Sequence, residues 1–142
     1  MELITSLTNA KVKMALSLQQ KKYRDKYQLF ILEGIRNAEM VIAKNISVQM
    51  CFFTQKAFTN ERGKSILEQL NCPCFEVPEH IYQKISDTQS PQGLMLILPI
   101  QNHNLDDLAT INKSRLYLIL DRLQDPGNIG TIILTAHEKG VK

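Results

Sequence analysis

The residues best suited to chemistry in this 142-residue sequence lie near its two ends. Lys11, Lys13, Lys21, Lys22, Arg24 and Lys26 crowd the first 30 positions, opposed only by Glu2 and Asp25, a local net charge of +4. The remaining residues hold 11 basic and 12 acidic side chains, so the whole positive excess sits in this segment. Tyr23 and Tyr27 interleave with it. Basic residues beside aromatics suit a phosphate backbone whose bases stack on rings. Charge by itself is also met by a solvated helix face, and on charge alone that plainer explanation is preferred. Toward the other end, Asn128 closes the loop Asp121-Arg122-Leu123-Gln124-Asp125-Pro126-Gly127. Its amide can cap a helix.

Other chemistries are poorly supported. Cys51, Cys72 and Cys74 are odd in number, which disfavours a disulfide set. Cys72-Pro73-Cys74 is too tightly spaced for a zinc ribbon and has no second pair, so reduced thiols around a buried strand are expected. His80, His103 and His137 show no ligand spacing, and no metal site is expected.

The elements that must position these residues follow from periodicity. Thr8 or Asn9 caps a helix to about Gln20, with Val12, Ala15 and Leu16 inward. Strands are expected at Leu29–Leu32, Val48–Phe53, Pro73–Val77 and Leu94–Leu98. Helices are expected after the Glu33-Gly34 break to about Lys44, from Thr59 or Asn60 through Leu70, and after Pro78. Alternating strands and helices predict an α/β layered domain over residues 1–99. Residues 100–114 are polar and read as a linker, with one helical turn at Leu105–Ala109. Residues 115–142 restart with an apolar strand, Leu116–Leu120, and a helix from about Ile129 to Lys139. A lone βα unit cannot cover both faces of such a strand, so this segment reads as the beginning of an incomplete domain.

Composition excludes whole classes. The chain is 44% hydrophobic and 22% charged, as folded proteins are, with Gly 6 and Pro 5 ruling out a collagen-like or linker-like chain. No apolar run approaches the roughly 18 residues of a membrane span, and the N-terminus lacks a signal-peptide layout. A cytoplasmic protein without membrane contact is the expectation.

The run Asp121 to Ile133, followed by Thr135-Ala136, resembles the first motif of the SpoU (TrmH-like) RNA 2′-O-ribose methyltransferases. Ile4-Thr5-Ser6, Asn9, Val12-Lys13, Lys21-Lys22-Tyr23-Arg24, Phe30, Leu32-Glu33-Gly34, Arg36, Ser86-Asp87-Thr88 and Ser90-Pro91-Gln92-Gly93 resemble that family's N-terminal RNA-binding domain. The resemblance implies a three-layer α/β/α sandwich, similar to small ribosomal RNA-binding proteins, followed by the start of a knotted methyltransferase domain. It implies ribosomal or transfer RNA as partner, with Lys11, Lys13, Lys21, Lys22, Tyr23, Arg24 and Arg36 as contacts. Arg36 stays open between phosphate and an ion pair with Glu33 or Glu39. The 86–93 loop stays open between RNA and a second domain. The resemblance implies S-adenosylmethionine for the complete family enzyme and none bound by this chain. Asn128 occupies the family's catalytic asparagine position, though a helix N-cap is its expected present role. The family's arginine falls at position 134, where this sequence has Leu134. An inactive RNA-binding portion is therefore expected. The alternative is a non-catalytic RNA-binding or oligomerising module, self-associating through residues 116–142.

Overall fold

The apolar run at residues 94–98 organises the layers. A computed structural model describes residues 1–102 and 117–141, and there this run forms most of strand β5 (Leu94–Pro99). Successive strand side chains point to opposite faces. Leu94, Leu96 and Leu98 accordingly enter one core, while Met95 and Ile97 enter the other. None of the five exposes more than 2% of its surface.

The first core is closed by α1 (Ala10–Ser17) and α6 (Glu79–Ile85), through Val12, Ala15, Ile81, Tyr82 and Ile85. The second is closed by α3 (Ile35–Ala43), α4 (Gln55–Thr59) and α5 (Glu61–Gln69), through Ile35, Ala38, Val41, Ala57, Ile66 and Leu67. The expected α/β/α sandwich is what forms. Between the layers, β1 (Glu2–Leu3), β4 (Cys74–Glu76), β3 (Met50–Phe53), β5 and β2 (Leu29–Glu33) lie in the sheet order β1-β4-β3-β5-β2. The β1–β4 and β4–β3 pairs are parallel, and the β3–β5 and β5–β2 pairs are antiparallel. β2 is therefore an edge strand.

The chain folds as two compact units, Met1–Gln101 and Asn102–Lys142. Three local expectations change. The helix expected to reach Gln20 stops at Ser17 and restarts as α2 (Lys21–Tyr27), because the backbone turns extended at Gln20, φ −93° and ψ 131°, while Leu18 is still right-handed helical and buried. β1 and α4, at two and five residues, are too short to leave a periodic signal. In the second unit, described residues 117–120 form no strand, since none of the described strands pairs with them. The helical turn expected at Leu105–Ala109 lies outside the described residues.

All three cysteines are free. The Cys51 and Cys72 thiols are pushed up, first by hydrogen bonding with Cys74 and then by burial, so both stay protonated. No group of three His, Cys, Asp or Glu side chains suited to a metal occurs among the described residues. None of the described helices is long and apolar enough to cross a membrane.

Candidate nucleic-acid interface

Helix α2, Lys-Lys-Tyr-Arg-Asp-Lys-Tyr, breaks several rules of stable helix design. It buries none of its residues. Its N-cap, Gln20, makes no side-chain cap bond, and Lys21 and Lys22 place positive charge where the helix dipole disfavours it. Its C-cap, Gln28, sits at φ 53°, a left-handed conformation uncommon outside glycine. Such local violations concentrate at functional sites.

What α2 offers is an outward face. Tyr23 and Tyr27 stack at 6.2 Å between ring centroids with 15° between planes. The Lys22 ammonium lies 5.8 Å over the Tyr23 ring and that of Lys26 5.4 Å over Tyr27. Arg24 plays a different part. Its Nη1 donates to the carbonyls of Leu18 and Gln19 at 2.9 and 2.7 Å, tying α2 to the end of α1. Lys26 and Tyr27 lie on the same helix as the expected contacts Lys21, Lys22, Tyr23 and Arg24. The i, i+4 spacing of the two tyrosines was the signal for them.

The other cations divide. Lys11 is engaged, 3.5 Å from Glu2 and 4.5 Å over the Phe75 ring. Lys13 and Arg36 are exposed and form no ion pair among the described residues. The candidate partners of Arg36 are committed elsewhere. Glu39 receives two bonds from Arg62, at 2.6 and 2.7 Å, which hold its carboxyl below the usual range.

Glu33 anchors the 86–93 loop. Its carboxylate accepts from the Tyr82 hydroxyl at 3.1 Å and from Thr88 at 3.1 Å, and the Ser86 hydroxyl lies 2.8 and 2.9 Å from its two oxygens. The side-chain oxygen of Gln92 accepts from the Ile35 amide at 2.9 Å, and Gly34 donates to Leu94 at 2.9 Å. The Glu33-Gly34-Arg36 and Ser86–Gly93 segments thus become one structure at the end of β2. Arg24 lines a depression on one side of Glu33 and Arg36 lines another.

Tyr82 is fully buried. Its phenol is pushed well above the ordinary value, by burial first and by the Glu33 charge second. A raised acid keeps its proton in the fold, so its contribution to stability is complete below the unfolded pKa of about 10 and is lost as pH rises beyond it. Stability measured by urea unfolding is expected to fall steeply above pH 10, and Tyr82→Phe is expected to flatten that fall. An unchanged slope would show that Tyr82 ionisation is not what limits alkaline stability.

The profile of the MRM3-like substrate binding domain matches residues 9–96, which span α1 to β5. The chain belongs to that family. As an MRM3-like domain it is 31% identical, over 98% of its length, to half of an uncharacterized tRNA/rRNA methyltransferase from Synechocystis. It is 30% identical to 52% of the Bacillus subtilis 23S rRNA (guanosine(2553)-2′-O)-methyltransferase RlmP, over 99% of this chain. Among solved structures, an rRNA methyltransferase from Sinorhizobium meliloti aligns over 99% of this chain and 52% of its own, at TM-score 0.81 and 28% identity. Its AdoMet-bound form aligns at TM-score 0.78. The chain spans about half the length of the relatives it matches.

Beyond the MRM3-like domain, α7 (Pro126–Glu138) begins three residues earlier than the sequence predicts. Asp125 is its N-cap, accepting from the Asn128 amide at 2.9 Å. Asn128 is therefore not the cap. Asp125 precedes Pro126, which is pre-organised for the first helical turn, so the helix starts there. The Asn128 side chain is exposed and makes no hydrogen bond among the described residues. Leu134 is 67% exposed, while Ile129, Ile132 and Ala136 are half-buried. Leu118, Leu120, Ile133, Ala136, His137 and Val141 line a depression of about 240 Å³. It is small and, apart from His137, apolar, with no carboxylate to meet ribose hydroxyls. This lining, taken alone, does not fit S-adenosylmethionine.

Proposed function

We propose that this chain is the RNA-recognition portion of an S-adenosylmethionine-dependent ribosomal or transfer RNA 2′-O-ribose methyltransferase. The observation that carries the reading is α2, a basic, tyrosine-bearing helix that buries nothing and breaks the rules of helix stability. Lys21, Lys22, Tyr23, Arg24, Lys26 and Tyr27 meet the RNA directly. Lys13 and Arg36 add phosphate contacts, and Lys11 contributes from its place beside Glu2 and Phe75. Asn128 is exposed on α7, as a group serving a ribose hydroxyl in the complete enzyme must be. Leu134 can neither donate a hydrogen bond nor carry charge in place of the family's arginine. By itself the chain is expected to bind RNA without methylating it. Such a role suits the cytoplasm.

Binding of a ribosomal RNA fragment and a duplex DNA of equal charge, measured across a salt series, tests this. Preference for the RNA with steep weakening by salt is the expected result. Equal, weak binding to both would remove the reading. Methyl transfer by the pure chain would overturn its inactive part.

A second reading, self-association through the 117–141 segment, rests on its exposed apolar side chains. Ile119 is 88% exposed and Ile133 51%. Patches of this kind mark interaction surfaces. Light scattering at high concentration should show oligomers that Ile119→Lys with Leu134→Lys returns to monomers; a monomeric parent chain would refute it.

A further inference from the structure

We infer that the depression beside the free edge of β2 is a pocket for one unpaired nucleobase of the bound RNA. The inference rests on the RNA-binding reading above and adds a site to it. The depression, about 470 Å³, is lined by Leu18, Arg24, Phe30, Ile31, Ile85 and Asp87 among others. Phe30 and Ile31 are consecutive strand residues whose side chains point to opposite faces, so a depression touching both must straddle the sheet edge.

The edge supplies hydrogen-bonding groups. Gly34 donates to Leu94 and Ile100 donates to Gln28, at 2.9 and 2.8 Å. In an antiparallel ladder this register turns the backbone of Phe30 and Leu32 toward β5 and that of Leu29, Ile31 and Glu33 outward. The Glu33 carbonyl is taken by the Asn37 amide at 2.7 Å. Of the residues lining the depression, Ile31 turns both its N–H and its C=O outward, a donor and an acceptor side by side, which matches the edge of a base.

The rest of the lining agrees. Leu18 and Ile85 are buried and make an apolar floor. The Arg24 guanidinium is held flat by its two carbonyl bonds, a rigid plane on which a base can stack. The Asp87 carboxylate is exposed at the rim, where it can accept from an amino group of the base. A pocket with an apolar floor and a few convergent polar groups is the usual form of a small-ligand site. A β-strand from another chain fits less well. The lysines of α2 beside Arg24 favour a phosphate-bearing occupant.

The test uses the whole chain, labelled with ¹⁵N, and two RNA hairpins of equal phosphate number, one fully paired and one with a single-nucleotide bulge. The bulged hairpin is expected to bind on the order of tenfold more tightly, the scale of one base–ring stack, and to shift the Ile31 amide resonance. Arg24→Lys, which keeps the charge and loses the plane, is expected to abolish that preference. Equal affinities with an unmoved Ile31 resonance would overturn the pocket while leaving RNA binding intact. If neither hairpin binds, the RNA reading fails and the pocket with it. Broadening of the Ile31 resonance with protein concentration, without RNA, would assign the edge to a second copy and overturn the proposal.

Discussion

Replacing Lys21, Lys22 and Lys26 together by glutamine is expected to weaken RNA binding roughly a hundredfold at physiological salt. The size follows from counterion release. Each phosphate contact contributes about 0.9 to the slope of log affinity against log salt, so three contribute about 2.7. The variant should therefore show a shallower slope as well as a lower affinity. Glutamine is a good helix former, and α2 buries none of these side chains, so the fold should be untouched. Titration of both proteins with a fluorescent ribosomal RNA fragment between low and high salt decides the matter. A parallel slope with unchanged affinity would show α2 to be a solvated helix and move the search to Lys13 and Arg36.

Gly93→Ala is expected to destabilise the first unit by about 2–5 kcal/mol, from left-handed backbone strain together with overpacking. Gly93 has φ +76°, and a Cβ there would overlap the Thr54 hydroxyl. Its carbonyl also accepts from the Thr54 amide at 2.8 Å, so the chain cannot easily move away. Thr54 is 1% exposed, and its hydroxyl has no hydrogen-bond partner among the described residues, so the clash falls on a tightly enclosed side chain. Removing that hydroxyl with Thr54→Ala should relieve the steric share and leave the backbone share, a coupling that a double-mutant cycle in urea measures. A Gly93→Ala variant as stable as the parent would mean that the loop relaxes freely and that Glu33 does not hold its shape.

Several features could be read directly from residue order. The strands at Leu29, Met50, Cys74 and Leu94 follow from short apolar runs, and residue type narrows two helix caps to Thr8 or Asn9 and Thr59 or Asn60, of which the fold uses Asn9 and Asn60. The basic cluster, its tyrosines and the Glu33-Gly34 and Ser86–Gly93 segments stood out before any coordinates. The separation of α2 from α1 did not, because Leu18 continues the apolar stripe of α1 and the break lies in the extended backbone of Gln20. Asp125 as the cap of α7 was also missed, although Pro126 after it is a start signal.

What residue order determined by itself is the layering, since periodicities of two and of 3.6 say which side of each element must leave water, and where the positive charge accumulates. The tertiary structure alone decided which distant groups meet. Glu33 and Ser86 lie 53 positions apart, and nothing local signals that a carboxylate and a hydroxyl will pair. Nor does local sequence show that Arg62 takes Glu39 and leaves Arg36 without an ion pair among the described residues. The physical reason is that burial is a property of one segment, whereas a hydrogen-bond partner is settled only once sheet order brings two segments together.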